Sequence, residues 1–414
     1  MQYSIYFYIF VYNSKRLFVL LGNMASGNFN IKDQKMKTYI SMIIALSALL
    51  IAGCNDDEDY HPDDMRSIHD QFPDLPEQVR FTHLPTDLSE MHSFDAMGQI
   101  HSIPKMHGGF RLLNPYTFPA RVPVYAMGDG YIYNIEKEFR EVVDRGAPAE
   151  LLGQRYDDFS LNMVYSKHAG GYYGHVSALS DEVLQQAGTI REGRGVRNEV
   201  RIRITAGQVI GYIGPHPGFD IGMYDYEREH YFANPDMYGR DYRSAVCYTD
   251  YLPDHLGEQL WAIASRTGEP LCGRVAYDKE GTLSGNWFLE GTTEITQWSR
   301  QLIFARHEFY GDRITIADAS PLSDGDGIHT GDQDPYIWFV KGNQPEPESI
   351  TPESGLVKYE VANYWVFVFN EDADPEGTLL IRMLEPEKIR YEFFEGKKAA
   401  EVSDFTSSSR IYIR

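Results

Sequence analysis

The chain has 414 residues, enough for two ordinary domains or one large elaborated one. A formal charge of −22 excludes a nucleic-acid partner, because phosphate binding needs a basic face and no Lys/Arg cluster interleaved with aromatics occurs. With Tyr 29 and Phe 22, the aromatic content of 14% favours β-rich, half-buried surfaces over a helical bundle.

The N-terminus carries two apolar stretches. In the second, Met36-Lys37 precedes the apolar run Ile40–Ile51, and Ile51-Ala52-Gly53-Cys54 closes it. The run is too short to span a bilayer comfortably and fits a signal-peptide core. Ala and Gly directly before Cys resemble the lipobox of bacterial lipoproteins. That resemblance implies a signal over 36–53, lipidation at Cys54 and a membrane-held protein of the cell envelope. Residues 1–35 then read as an upstream extension before the true start at Met36, or as an apolar anchor, Ile5–Leu21, broken by Asn13, Lys15 and Arg16. Residues 54–79 read as an acidic tether with Pro62, Pro73 and Pro76. Its opening run Asn55-Asp56-Asp57-Glu58-Asp59 is either solvated spacer or a signal for exposure at the outer-membrane surface.

From Arg80 to Asp225 short β-like runs alternate with turns: Val122–Ala126, Tyr131–Ile135, Phe159–Ser166, Glu199–Ile204, Val209–Ile213 and Phe219–Tyr224. The last two, joined through Pro215, Pro217 and Gly218, read as an antiparallel hairpin. Asp181–Ala187 is expected to be a short helix. Residues 226–269 form an irregular connection with one helix, Asp254–Ser265. Residues 270–414 are expected to make a second β-rich module, sandwich or barrel, from Gly273–Tyr277, Gly285–Gly291, Gln301–Glu308, Leu356–Val361, Tyr364–Phe369, Thr378–Leu384, Lys388–Phe394 and Arg410–Ile413. Gly285-Asn286-Trp287 loosely resembles a lipocalin-like tripeptide, too short to weigh. With Cys54 lipidated, Cys247 and Cys272 either pair, adding about 3 kcal/mol in the entropic model, or stay as two buried thiols.

Three segments carry the chemistry. The first is His107-Gly108-Gly109-Phe110-Arg111, with Pro123-Val124-Tyr125-Ala126 and Gly128-Asp129-Gly130 after it. The second is His168-Ala169-Gly170-Gly171-Tyr172-Tyr173-Gly174-His175-Val176-Ser177, and the third Ala206-Gly207-Gln208-Val209-Ile210-Gly211-Tyr212-Ile213-Gly214. In this order they resemble the lysostaphin/LytM-type zinc metallopeptidases, which cut peptide cross-links of bacterial cell walls. The resemblance spans about a third of the chain and implies an antiparallel β-sheet domain over residues 80–225 with a groove on the sheet. It also implies zinc held by a His, an Asp shortly after it and the second His of a His-x-His strand, with two further histidines acting on the bound water.

Carried over residue by residue, His107 takes the first ligand position and His175 a catalytic one. Arg111 stands where the Asp is expected, and a guanidinium opposes a cation. Aligned on Gly214-Pro215-His216, the second ligand His becomes Gly218; aligned on strand position, the His-x-His pair becomes Asp220 and Gly222. The expectation is therefore a degenerate, non-catalytic domain with no cofactor, binding or regulating envelope components such as peptidoglycan or envelope proteins. The alternative is an active zinc metalloendopeptidase on peptidoglycan cross-links or Gly-rich peptides, with His107 and Asp220 as ligands, His175 and His216 as catalytic groups, and His101 as a further donor. A third reading puts binding of surface glycan or protein on the C-terminal module through Trp287, Trp338 and Trp365. Asp324, Asp326, Asp332 and Asp334 make a weak calcium-loop candidate, with His329 where the turn glycine belongs.

Overall fold

The computed structural model describes residues 68–100, 103–144, 146–319, 336–363 and 374–414. The signal, Cys54, His101, Trp365, the run Tyr364–Phe369 and the aspartates 324–334 lie outside these residues. The chain is mostly β, with antiparallel ladders, and has two β-rich modules.

The first module uses ten strands: β1 Met91–Asp95, β2 His107–Leu112, β3 Val122–Tyr125, β4 Gly130–Glu141, β5 Arg155–Val164, β6 Ala169–Val176, β7 Ala178–Leu179, β8 Asn198–Ile204, β9 Val209–Ile213 and β10 Gly218–Asp225. Seven form one sheet in the order β1-β2-β10-β6-β5-β4-β8, and β3-β9-β7 form a second. The period of two along each strand sends Phe110, Leu161, Tyr173, Phe219 and Ile221 to one face of the large sheet. There they bury against Val122, Val124, Ile210 and Ile213 of the small sheet. The opposite face of β2, β10 and β6 carries His107, Arg111, Asp220 and Tyr172. Helix α1, Asp181–Ala187, forms as expected, with Ser180 Oγ accepting the Val183 N–H at 3.3 Å.

Two expectations change here. β9 and β10 are strands but not a hairpin: β9 pairs with β3 and β7, whereas β10 pairs with β2 and β6. Pro215 and Pro217 have no N–H to give a ladder, so the chain uses them to cross between sheets. The Gly214 carbonyl on that corner accepts instead from Thr117 N–H at 3.0 Å. The described end of the tether is also not loose. Phe72 and Leu75 are buried, Phe72 lies 4.7 Å from the Tyr131 ring, and His69 Nδ1 sits 2.7 Å from Ser166 O.

The connection contains α2 Arg240–Arg243 and α3 Asp254–Trp261, one helix more than expected. Its Phe232, Tyr238 and Cys247 are buried against Phe288 of the second module. Cys247 and Cys272 form a disulfide, Cα–Cα 6.2 Å. Gly273–Tyr277 is not a strand; its N-terminal end makes one parallel bridge to Met97.

The second module is a closed barrel of β11 Gly285–Leu289, β12 Gln301–Arg306, β13 Ile314–Asp318, β14 Tyr336–Val340, β15 Leu356–Asn363, β16 Gly377–Glu385, β17 Lys388–Glu395 and β18 Arg410–Ile413. Each strand pairs with the next, and β11 with β18 closes the ring. Trp287, Phe304, Trp338, Tyr359, Ile381 and Tyr412 pack together in the core. Arg414 seals one end: its guanidinium lies 4.1 Å from the Trp287 ring and donates to the Ser284, Thr282 and Lys279 carbonyls. A second apolar cluster, Ile303, Ala305, Ala317 and Ile337, buries against Ile100 and Tyr277, and Pro62–Arg414 form one compact unit.

Candidate functional site

Strand register builds the site on the open face of β2, β10 and β6. Gly222 of β10 lies opposite His107 of β2 and Tyr172 of β6; Asp220 lies opposite Gly109 and Gly174; Gly218 lies opposite Arg111. Side chains at alternate positions share a face, so His107, Arg111, Asp220 and Tyr172 stand together, and the four glycines Gly109, Gly174, Gly218 and Gly222 leave room between them.

His175 reaches this face through a bulge. The β5–β6 register shifts between Phe159 and Leu161, and His175 adopts φ 64°, a left-handed conformation uncommon for a non-glycine residue. The extra residue lets Tyr173 and Val176 both face the core while His175 turns outward. Its Nε2 then lies 3.3 Å from Asp220 Oδ2, and its Nδ1 3.1 Å from Asp158 Oδ2 on β5. Asp158 is also paired with Arg140 Nε of β4. On the other side, His107 Nε2 lies 3.4 Å from the same Asp220 oxygen, and Tyr172 O–H donates to His107 Nδ1.

The result is a continuous polar chain, Tyr172–His107–Asp220–His175–Asp158–Arg140. Its electrostatics are self-consistent. Burial alone would depress His175, but hydrogen bonds to Asp158 and Asp220 outweigh it and raise its pKa to about 9. Burial works against the Asp220 charge, yet the His175 hydrogen bond and the two histidine charges hold it well below the usual carboxylate range. His107 is lowered, by burial first and with Asp220 opposing, and its Nδ1 accepts from Tyr172 O–H. His216 stacks on His175 with ring centroids 3.8 Å apart and 17° between planes. Burial and the His175 charge lower its pKa to about 4.

The four predicted site residues, His107, His175, His216 and Asp220, are therefore brought together. They line a cleft of about 290 Å³ whose further wall comes from the second module, as Glu308 and Phe309 after β12. Sequence reasoning missed Asp158, Arg140, Tyr172, Lys105 and Glu308. Only Tyr172, inside a quoted segment, carried any signal; the others depend on register and on the approach of the barrel.

Zinc needs neutral imidazoles and open lone pairs aimed at one point. Here both Nε2 atoms face one Asp220 oxygen, and His175 Nδ1 is engaged by Asp158. Arg111 Nε instead pairs with Asp95 Oδ2 at 2.9 Å. A Cβ at Gly222 would come within 2.2 Å of the Tyr172 ring, so that position is filled by the tyrosine from the next strand. Among the described residues, no group of three or more His, Cys, Asp and Glu side chains is placed to hold a metal.

No family model and no curated protein matches the chain. A solved structure, the binding domain of Paraclostridial Mosquitocidal Protein 1, aligns at 9% identity over 81% of this chain and 74% of its own, with a TM-score of 0.13. So slight a likeness carries no argument.

Proposed function

We propose that the chain is a lipid-anchored protein of the cell envelope whose first module is a degenerate LytM-type peptidase domain, binding peptide components of the envelope in its cleft without cleaving them. The observation that supports this most is the fate of the ligand positions implied by the resemblance. Arg111 is tied to Asp95, and Gly222 lies under the Tyr172 ring. His107, Asp220 and His175 satisfy one another in a charge-balanced chain ending at Asp158 and Arg140. Such a chain rigidifies a groove floor and supplies no open metal position.

The purified full-length protein is expected to carry substoichiometric zinc, to co-sediment with insoluble peptidoglycan, and to release no fragments from it when zinc is supplied. One tightly held zinc per chain together with chelator-sensitive cleavage would overturn this in favour of the active metalloendopeptidase. The reading that assigns binding to aromatics of the second module loses support from Trp287 and Trp338, which are 0% and 1% exposed.

A further inference from the structure

We infer that the cleft recognises the free carboxylate of its ligand, with the Lys105 ammonium as anchor and the Phe309 ring as an apolar wall contributed by the barrel. This rests on the binding reading above and names the chemical class of the ligand.

The inference comes from matching the charges that line the cleft. Asp95 is matched by Arg111 Nε at 2.9 Å and by Ser93 Oγ at 3.2 Å. Asp220 is matched by His107 and His175. Glu308 accepts from Ile100 N–H at 3.2 Å and from Gln99 Nε2 at 3.4 Å. His175 spends its charge on Asp220 and Asp158. Lys105 differs. Among the described residues its Nζ reaches the neutral Gln99 Oε1 at 3.4 Å and no carboxylate within ion-pair distance. An ammonium that makes no ion pair among the described residues and lines a partly enclosed cleft favours an anion in that cleft. It bears on the groove floor already, since its charge helps to lower both His107 and Asp220.

The anchor is held in place. Lys105 N–H donates to Gln99 O at 2.9 Å, and its carbonyl accepts from Gly98 N–H at 2.8 Å. The opposite wall is fixed as well: Arg266 Nη1 donates to the His307 and Glu308 carbonyls, and Thr267 N–H donates to Phe309 O at 2.7 Å. A cleft of about 290 Å³ is near the lower limit of small-molecule pockets, so it accommodates an end of a peptide rather than a long segment. A terminal carboxylate on Lys105 with an apolar side chain against Phe309 satisfies both walls.

The test is calorimetry on the full chain with N-acetyl-dialanine and with its C-terminal amide. The acid is expected to bind tighter than the amide by about tenfold or more. Lys105→Met should abolish that preference, Lys105→Arg should keep it, and Phe309→Ala should weaken both probes alike. Equal binding of acid and amide by the unaltered protein, a preference that survives Lys105→Met in a variant with an unchanged melting curve, or binding of neither probe at about 10 mM would each overturn the inference. The zinc and cleavage assays report separately. A zinc-loaded, cleaving protein that still shows the Lys105-dependent preference would sink the non-catalytic reading and leave the carboxylate anchor standing.

Discussion

His175 is the residue on which the cleft floor turns, and its folded pKa of about 9 lies above the ordinary histidine value. The folded state therefore binds its proton more tightly than the unfolded chain does. That contribution to stability is complete below about pH 6.5 and is lost as pH rises through about 9. Asp158→Asn should flatten this alkaline slope in pH-dependent urea unfolding. It should also cost about 2–4 kcal/mol near neutrality, because His175 and Arg140 lose a shared buried anion. A slope unchanged in the variant would refute the pairing. Gly222 offers a second check at this scale. Gly222→Ala should destabilise by about 1–3 kcal/mol, since its methyl group meets the Tyr172 ring, and a double-mutant cycle with Tyr172→Ala should recover part of that loss. Additive effects would mean that the ring does not occupy the position.

Among the elements, those with a complete local pattern were legible in the sequence. Asp181–Ala187 has its Ser180 cap and following Gly188; Val209–Ile213 and Arg410–Ile413 have the strand alternation. β2, β6, β13 and β14 were not read as strands. β2 and β6 are rich in glycine, which lowers strand propensity but here clears space on the cleft face. The hairpin was misread because two strands joined by a proline turn look alike whether they pair or part; which sheet each joins is a non-local choice. The site showed the same division. His107, His175, His216 and Asp220 were visible as residues, whereas Asp158 and Glu308 owe their place to a bulge and to a turn of the other module. The disulfide ties the connection beneath β2 and β10, with Met97 N–H donating to Cys272 O at 2.9 Å. Replacing Cys247 and Cys272 by Ser should lower the urea midpoint by an amount worth about 3 kcal/mol; an unchanged midpoint would show that the link contributes little.

At the scale of the whole molecule, the two modules meet through apolar contacts and through the turn His307–Gly311, which Arg266 and Thr267 hold by its carbonyls. His307 is buried in that turn, its Nδ1 accepting from Phe309 and Tyr310 N–H, and burial lowers its pKa to about 3. Its neutral form is the folded one, so the unfolded chain takes up the proton first. Stability from this group is full above about pH 6.5 and is lost as pH falls towards about 3. Acid unfolding of the unaltered protein should be steeper over this range than that of His307→Asn, which keeps an acceptor without the titration. Identical acid slopes would remove His307 from the account. The division into two β-rich modules was readable from turn spacing, but their fusion into one compact unit was not, because the seam is made of residues that each module also needs for itself.

The bulge in β6 has one more consequence. The aim of His175 depends on a count of residues as well as on the kind of residue that stands there. Had β6 run regularly from Tyr173 with the same residues, strict alternation would turn His175 towards the apolar core and Val176 towards the cleft, and the Asp220 carboxylate would lose a partner. The site thus rests on a local backbone irregularity that a residue-by-residue comparison of its functional groups would not register.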